Sequence, residues 1–300
     1  MLDFRIETFL CVCRSMNYTR AAEELHITQP AVSQHIHYLE QKYGARLFSY
    51  TGKQLKITEA GRLLQSAALS VRHDEGVLRE RMVNVGGSSR ALIFGATRTI
   101  GDFVMPGVLA GFLRRFPDAV VRMQVENTDI LLSALEQGTI DFAVVEGIFE
   151  KNEYESVSLS REPYIAVSAP AAAQACEAHQ LEELLGERLL VREKGSGTRQ
   201  ILELFLQGRN LSVRDFRQVT EIGSLHVLKE LCMEGCGITF LYEAAVKKEL
   251  EAGLLKKIPL QDFIPAHDFT FLWRKGSLYG EEYREICGEW KRELVSSGKL

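Results

Sequence analysis

Helical periodicity breaks twice between residues 4 and 44, and that punctuation constrains the fold more than any other feature of the chain. Ile6, Phe9, Leu10 and Cys13 fall at i, i+3, i+4 and i+7, the spacing of a first amphipathic helix. Asn17-Tyr18 interrupts it. Thr19 is then placed to cap a short second helix over Arg20 to Leu25, where Ala21 and Ala22 are small enough for close helix contact. His26-Ile27 makes a tight turn. Thr28 caps a third helix, and Pro30 suits its first turn, where a missing N–H loses no intrahelical bond. On that third helix Val32, Ile36, Leu39 and Tyr43 share one face. Pro30, Gln34, His37 and Gln41 share the opposite face, flanked by Ser33 and Tyr38, and Gly44 ends the helix. Two short helices, a tight turn and a polar-faced second helix make a helix-turn-helix.

Gln29, Ser33 and Gln34 sit near the start of the polar-faced helix and carry the hydrogen-bonding groups that base edges require. Leu47-Phe48 and Leu55-Lys56-Ile57 flank Thr51-Gly52-Lys53, a small β-hairpin that would bring Lys53 to phosphate. Geometry alone leaves a three-helix protein-interaction module equally open.

With 300 residues the chain suits two or three domains. It is 46% hydrophobic and 25% charged, with a mean hydropathy of -0.07, as ordinary globular proteins are. No apolar run reaches bilayer-spanning length, and Met1-Leu2-Asp3-Phe4-Arg5 does not read as a signal peptide, so a cytoplasmic location is expected. The net charge of -4 excludes a globally basic nucleic-acid binder. Residues 1–57, however, carry seven basic and five acidic side chains, which leaves the remainder more acidic than the whole. The six cysteines form no Cys-x-x-Cys pair and have no histidine cluster at zinc spacing, so neither a metal nor a cofactor is expected. Cys232 and Cys236 stand at i,i+4, and a redox pair there is the alternative to plain packing, with Gly235 expected to end their helix.

Thr58 is placed to cap a long helix. Leu64, Ala67, Val71, Leu78, Met82 and Val85 recur along it, with a polar break expected at Asp74-Glu75-Gly76. A helix with such an apolar stripe needs a partner, within the chain or in a second copy. Gly86-Gly87-Ser88-Ser89 reads as a hinge.

Residues 90–300 alternate strand-like and helix-like stretches. Strands are expected at Ala91–Ala96, Val120–Val125, Phe142–Glu146, Tyr164–Ala169, Leu189–Arg192, Ile238–Leu241 and Phe269–Trp273, in parallel α/β sheets divided between two lobes. Ligands of such sheets bind beyond the carboxyl ends of strands. Four loops there carry polar groups: Ala96 to Gly101, Asn127-Thr128, Glu146-Gly147, and Arg192 to Arg199. The last is a glycine-rich entry into a helix, which favours an anion, although it lacks the Gly-Lys-Ser/Thr of a Walker loop. Ordinary helix capping explains each loop singly. Together, with Arg98, Arg192 and Arg199 among them, they point to an anion or carboxylate. The seven histidines show no nucleophile–base spacing and no nucleophile elbow occurs, so no catalytic residue is expected and an enzyme is not indicated.

The run Tyr18-Thr19-Arg20-Ala21-Ala22-Glu23-Glu24-Leu25-His26-Ile27-Thr28-Gln29-Pro30-Ala31-Val32-Ser33 closely resembles the DNA-binding signature of LysR-type transcriptional regulators. So do Leu39-Glu40, Gly44-Ala45-Arg46-Leu47-Phe48 and Leu55-Lys56-Ile57-Thr58-Glu59-Ala60-Gly61. That resemblance implies an α/β protein: a winged helix-turn-helix over 1–57, a linker and dimerisation helix with hinge over 58–87, and an effector-binding domain over 88–300. It implies double-stranded promoter DNA as partner, contacted by Thr28, Gln29, Pro30, Ser33, Gln34, His37, Arg46 and Lys53. It also implies a homodimer or homotetramer that reads a dyad site and can contact RNA polymerase. Members of the family often carry basic residues where this chain has Gln34, His37 and Tyr38, and Arg where it has Tyr50. Each missing cation removes a phosphate or guanine contact, so a shallower salt dependence is expected.

Gly95 to Pro106, Arg192 to Arg199, Glu221-Ile222-Gly223-Ser224 and Gly235-Cys236-Gly237-Ile238 resemble the family's effector domain, most closely in the branch of sulfur-assimilation and carbon-fixation regulators. That domain is similar to periplasmic binding proteins. The resemblance implies lobe I over 90–162 and 267–300 and lobe II over 163–266, the chain crossing near Glu162 and returning near His267. The expected effector set is Thr97, Arg98, Thr99, Asn127 and Glu146 facing Ser196, Thr198 and Ser224. A redox regulator using Cys232/Cys236, or a solute-binding protein without a DNA role, remain the alternatives.

Overall fold

The computed structural model describes residues 3–52, 54–83, 91–263 and 265–296. Its N-terminal unit comprises α1 (Phe4–Ser15), α2 (Tyr18–Glu24), α3 (Gln29–Tyr43) and a hairpin of β1 (Phe48–Thr51) and β2 (Gln54–Ile57). Phe9, Val12, Val32 and Leu39 are fully buried at its centre, with Ala21 and Ala22 at the α2 contact. The cap of α2 is Asn17, not Thr19: Asn17 Oδ1 accepts from the amides of Thr19 and Arg20 at 2.8 and 3.1 Å. Asn17 holds extended backbone, as an N-cap must, so the helix starts two residues earlier than expected. Thr28 does cap α3 and Gly44 ends it in the left-handed conformation. Tyr43 is not a core residue. It is half exposed, because the last turn of α3 overruns the apolar unit beneath it.

Thr58 Oγ1 accepts from Gly61 N at 3.0 Å and opens α4 (Glu59–Val83), a continuous helix of 25 residues. The helix runs unbroken through the polar residues Asp74-Glu75-Gly76, which interrupt its apolar stripe. Gly76 is a point of close approach: a Cβ there would stand 2.6 Å from the carbonyl oxygen of Gly138. The helix has two different faces. Ala68, Leu69, His73 and Val77 are buried, whereas Leu63, Val71, Leu78 and Met82 are exposed. Leu64 packs against the N-terminal core. Val85 and Gly86-Gly87-Ser88-Ser89 lie outside the described residues.

The rest of the chain follows as β3 (Ala91–Ala96), α5 (Met105–Arg115), β4 (Val120–Val125), α6 (Thr128–Gln137), β5 (Phe142–Val145), β6 (Tyr154–Ser168) and α7 (Ala173–Cys176). Then come β7 (Arg188–Arg192), α8 (Gly197–Gln207), β8 (Gln218–Ile222), α9 (Leu225–Met233), β9 (Ile238–Tyr242), α10 (Glu243–Glu251), β10 (Lys256–Lys257), β11 (Ala266–Arg274) and α11 (Gly280–Ser296). The strands order as β4-β3-β5-β11-β6-β9-β7-β8, with β10 beside β6. β3 pairs with β4 and β5 in parallel, as β7 does with β8 and β9. The sheet is not parallel throughout. β11 runs antiparallel to β5 and β6, and β6 antiparallel to β9.

β6 is the reason. It pairs with β11 from Tyr154 to Pro163, then with β9 from Tyr164 to Val167, so one strand serves two half-sheets. His267 pairs with Glu162 where it passes over. The fold is thus two α/β lobes joined by β6 and β11. The expected strand at Tyr164 covers only the second half of β6, and β8 and β10 were not expected. The exposed alternation Tyr154 to Ser158 and the polar Gln218 to Ile222 lack the continuous apolar run of a buried parallel strand.

α4 is bound to the first lobe by polar contacts that run from buried to exposed. His73 is fully buried and its Nδ1 donates to Leu135 O at 3.2 Å. Arg72 donates to Glu136 O at 2.9 Å, Ser70 to Lys275 O at 2.8 Å, and Ser277 Oγ to Asp74 at 2.6 Å.

Candidate functional site

Two places on the molecule gather polar side chains. The first is the outer face of α3. Thr28, Gln29, Pro30, Gln34 and His37 are all exposed there, opposite the fully buried Val32 and Leu39. Gln29 Nε2 donates to the half-buried Ser33 Oγ at 3.0 Å, and Gln41 Nε2 to His37 Nε2 at 2.9 Å. These i,i+4 bonds hold the amides across the helix surface. Arg46 follows the helix, its side chain 80% exposed and paired with Glu40 Oε2 at 3.2 Å. Glu40 Oε1 also accepts from Leu47 N at 2.9 Å, which ties α3 to the start of the hairpin. Lys53, the expected wing contact, lies outside the described residues. Lys56 and Tyr50 stand exposed on the hairpin.

The second place lies between the lobes. From the first lobe come the turn after β3 (Thr97, Arg98, Thr99), the N-terminus of α6 (Asn127, Thr128) and the turn after β5 (Glu146, Gly147). From the second come Arg192, Glu193 and the N-terminus of α8 (Ser196, Gly197, Thr198). Thr97, Arg98, Asn127, Glu146 and Ser196 line one cleft together with Glu126, Arg192, Glu193 and Gly197. The side chains nearly fill it: about 10 Å³ remains, the room of about one water.

Glu146 is the hub. It is 2% exposed, and its Oε1 accepts from Thr198 Oγ1 at 2.9 Å and from Thr99 Oγ1 at 3.1 Å. The two hydroxyls lie 3.1 Å from each other, so three side chains close the lobes. Burial pushes the Glu146 carboxyl above the ordinary carboxylate range, against the pull of the Thr198 and Thr99 hydroxyls and the Arg192 charge. Gly197 permits the approach, since a Cβ there would lie 2.8 Å from Glu146 Cγ. Tyr164, at the crossing of β6, donates to Thr198 O at 2.8 Å and braces the same turn.

Two parts of the sequence expectation change. Ser224 caps α9, accepting from Val227 N at 3.4 Å, and is exposed; it is not among the cleft residues. Arg192 and Arg199 do not offer unspent positive charge. Arg192 grips Glu193 with two bonds of 2.8 and 2.9 Å, and Arg199 pairs with Glu203 at 2.7 Å and Glu221 at 2.6 Å. Arg98 is the exposed cation at the cleft. The expected set also omits Gln200, whose Oε1 is buried close to Gly147 with no partner among the described residues. Its one signal in the sequence is an uncharged polar residue inside an amphipathic helix.

Cys232 is buried and its Sγ donates to Val167 O and Gly237 O, while Cys236 is exposed. Burial pushes the Cys232 thiol up to about 12, away from the reactive thiolate. Among the described residues no group of three metal-ligating side chains comes together, and no helix is long and apolar enough to cross a membrane.

Residues 5–62 match the family model described as bacterial regulatory helix-turn-helix protein, lysR family, and residues 86–286 match the LysR substrate binding domain. The RuBisCO operon transcriptional regulator of Allochromatium vinosum is 30% identical over 274 residues, covering 91% of this chain and 89% of that one. CfxR of Cupriavidus necator, an HTH-type transcriptional regulator, is 31% identical over 255 residues, covering 83% and 78%. Among solved structures, full-length LysG of Corynebacterium glutamicum with bound effector Arg superposes with a TM-score of 0.62 at 21% identity, covering 98% of this chain and 99% of that one. An H2O2-bound OxyR mutant from the same organism gives 0.63 at 22%, covering 98% and 92%. The chain belongs to the LysR family of DNA-binding transcriptional regulators, with an effector-binding domain of two α/β lobes.

Proposed function

We propose that α3 enters the major groove of a promoter and that the cleft between the lobes holds the small effector that governs it. In this reading residues 1–57 read DNA, 58–87 link and dimerise, and 88–300 sense, with lobe I over 90–162 and 267–300 and lobe II over 163–266. Thr28, Gln29, Pro30, Ser33 and Gln34 face base edges, and His37, Arg46 and Lys53 approach the backbone. The outward stripe Leu63, Val71, Leu78 and Met82 of α4 packs on its copy in a dimer, which sets two reading heads on a dyad site in the cytoplasm.

The Glu146–Thr99–Thr198 bridge carries the sensing half of the proposal. Those three side chains come from both lobes, so a compound that enters between them must change how the lobes meet. α4 is bonded to lobe I through His73, Arg72 and Asp74, and transmits the change to the heads as a rigid body. DNA bending, or contact with RNA polymerase, is altered in turn. Arg98 and the α8 N-terminus favour an effector that bears a carboxylate or another anionic group. A cysteine switch has less support, since Cys232 is a buried, hydrogen-bonded thiol. The test is a footprint of the promoter lying beside the chain's own gene, with wild type and Thr99→Val. Wild type should protect a dyad and shift its protection with effector; Thr99→Val should protect the same dyad and lose the shift. A variant that loses both together would break the division between reading and sensing.

A further inference from the structure

Buried polar side-chain atoms at and behind the cleft lack partners. Thr97 Oγ1, Glu146 Oε2, Thr128 Oγ1 and Gln200 Oε1 are buried with no hydrogen-bond partner among the described residues. Two of them meet at Gly147, where a Cβ would stand 2.4 Å from Thr128 Oγ1 and 3.4 Å from Gln200 Oε1, and Glu146 is the preceding residue. Buried polar atoms without partners are rare in folded proteins and need an explanation. A simple anion supplies none for Glu146 Oε2 or Gln200 Oε1, because it brings only acceptors and sets negative charge beside the Glu146 carboxyl. Arg192 offsets that charge only in part, as its guanidinium is also committed to Glu193.

We infer that the effector of this cleft carries both a protonated amine, received by Glu146, and a carboxylate, received by Arg98 and the first-turn amides of α8; its class is the free amino acids. This rests on the cleft being the effector site. An ammonium brings only donors, which suits the acceptor-only oxygens Glu146 Oε2 and Gln200 Oε1. The carboxylate end meets the exposed Arg98 and the N-terminus of an 11-residue helix whose first amides have no intrahelical acceptor. Entry requires this cleft to open, since only about 10 Å³ is left within it as it stands. The Thr99–Thr198 and Glu146–Thr198 bonds are what the ligand must open.

Calorimetric titration of the full-length protein with the twenty L-amino acids tests this. Each hit is repeated with its des-amino carboxylate and its decarboxylated amine, and sulfate serves as a plain anion. At least one amino acid should bind, and removing its amine should weaken binding up to about 100-fold, the order expected when a buried polar group is left unpaired. Glu146→Gln should erase most of that preference, and Arg98→Gln should erase the preference for the carboxylate. Thr128→Val is the second variant if Glu146→Gln does not fold. The inference is overturned if no amino acid or amine binds at about 10 mM, or if a des-amino carboxylate binds as tightly as its amino acid. A sulfate or carboxylate that binds, and is lost in Arg98→Gln, would sink the amine alone and leave the cleft as the effector site. Binding that is equal in wild type, Glu146→Gln and Arg98→Gln would remove the cleft as well.

Discussion

The reading head and the interlobe cleft handle polar groups in opposite ways. In the head, apolar side chains go inside and polar ones go to water: Val32 and Leu39 are fully buried while Gln34 and His37 on the other face of α3 are exposed. In the cleft the inside itself is polar, with Glu146, Thr99 and Thr198 each under 3% exposed and bonded to one another. The head therefore has one well-determined state, set by packing. The cleft has a bonded network that a competing ligand can replace, because hydrogen bonds are exchangeable in a way that packed methylenes are not. A rigid reader and a replaceable latch are what a regulator needs in its two halves.

The sharpest break of this contrast is in the head. Phe9→Ala removes a fully buried ring at the centre of the α1 contact with the hairpin, where Phe9 lies 5.5 Å from the Phe48 ring. Such truncations cost about 3–5 kcal/mol, a large part of what a unit this small has. Chemical denaturation should show the head melting first and DNA binding disappearing with it. Next in size is Thr198→Val in the latch. It is close in shape but removes the one hydroxyl that donates to Glu146 and faces Thr99, at a cost of about 1–3 kcal/mol for the buried group left unpaired. Denaturation should register that deficit while DNA binding in the absence of effector persists. A Thr198→Val protein as stable as wild type would show the bridge to be no latch.

The same contrast explains what is legible in the sequence. The head is readable because its determinants are local: the cap Thr28, the stop Gly44 and the spacing of Val32, Ile36 and Leu39 all lie within one stretch of chain. Where its pattern misleads, the cause is local too, as with Asn17, which competes with Thr19 for the same cap. In the cleft, Thr97, Thr99, Glu146, Ser196 and Thr198 stand out as loop residues, but the bond between Thr99 and Thr198 spans 99 positions and no periodicity encodes it. Family resemblance supplies that pairing. Resemblance does not supply the commitment of Arg192 and Arg199 to carboxylates, which depends on the positions of Glu193, Glu203 and Glu221 in space. Nor does it supply the reason for a glycine at position 76, which weakens a helix in isolation and is accounted for by the close approach of Gly138.

α4 sits between the two regimes, and pH separates its faces. His73 is fully buried against Leu135 O and the Tyr283 ring, and burial holds its pKa below the ordinary value near 6.5. Above that value both folded and unfolded forms are neutral, and the group adds no pH dependence. As pH falls through about 6.5 the unfolded chain takes the proton and the folded chain does not, so stability declines. His73→Gln keeps a donor for Leu135 O and removes this titration. Thermal melts from pH 7.5 to 5 should fall less steeply for the variant than for wild type. Identical slopes would place the acid sensitivity elsewhere and weaken the case that lobe I grips α4 through this residue.

The smallest effect expected is on the head's surface, and it bears on how the head holds DNA. Arg46 is largely exposed, and its pairing with Glu40 at the surface contributes less than about 1 kcal/mol to folding. Arg46→Gln should therefore leave the melting temperature nearly unchanged. If Arg46 meets a phosphate, the substitution removes one released counterion, and the slope of log affinity against log salt should fall by about 1 for each phosphate no longer neutralised. Gln34→Ala, on the neighbouring face, should do the reverse: weaken binding to the cognate sequence and leave the salt slope as it was. The two variants together separate positioning from reading. A slope unchanged in Arg46→Gln would move the backbone contact to another cation of the head, and the Arg46–Glu40 pair would then serve only to fix the end of α3 against the hairpin.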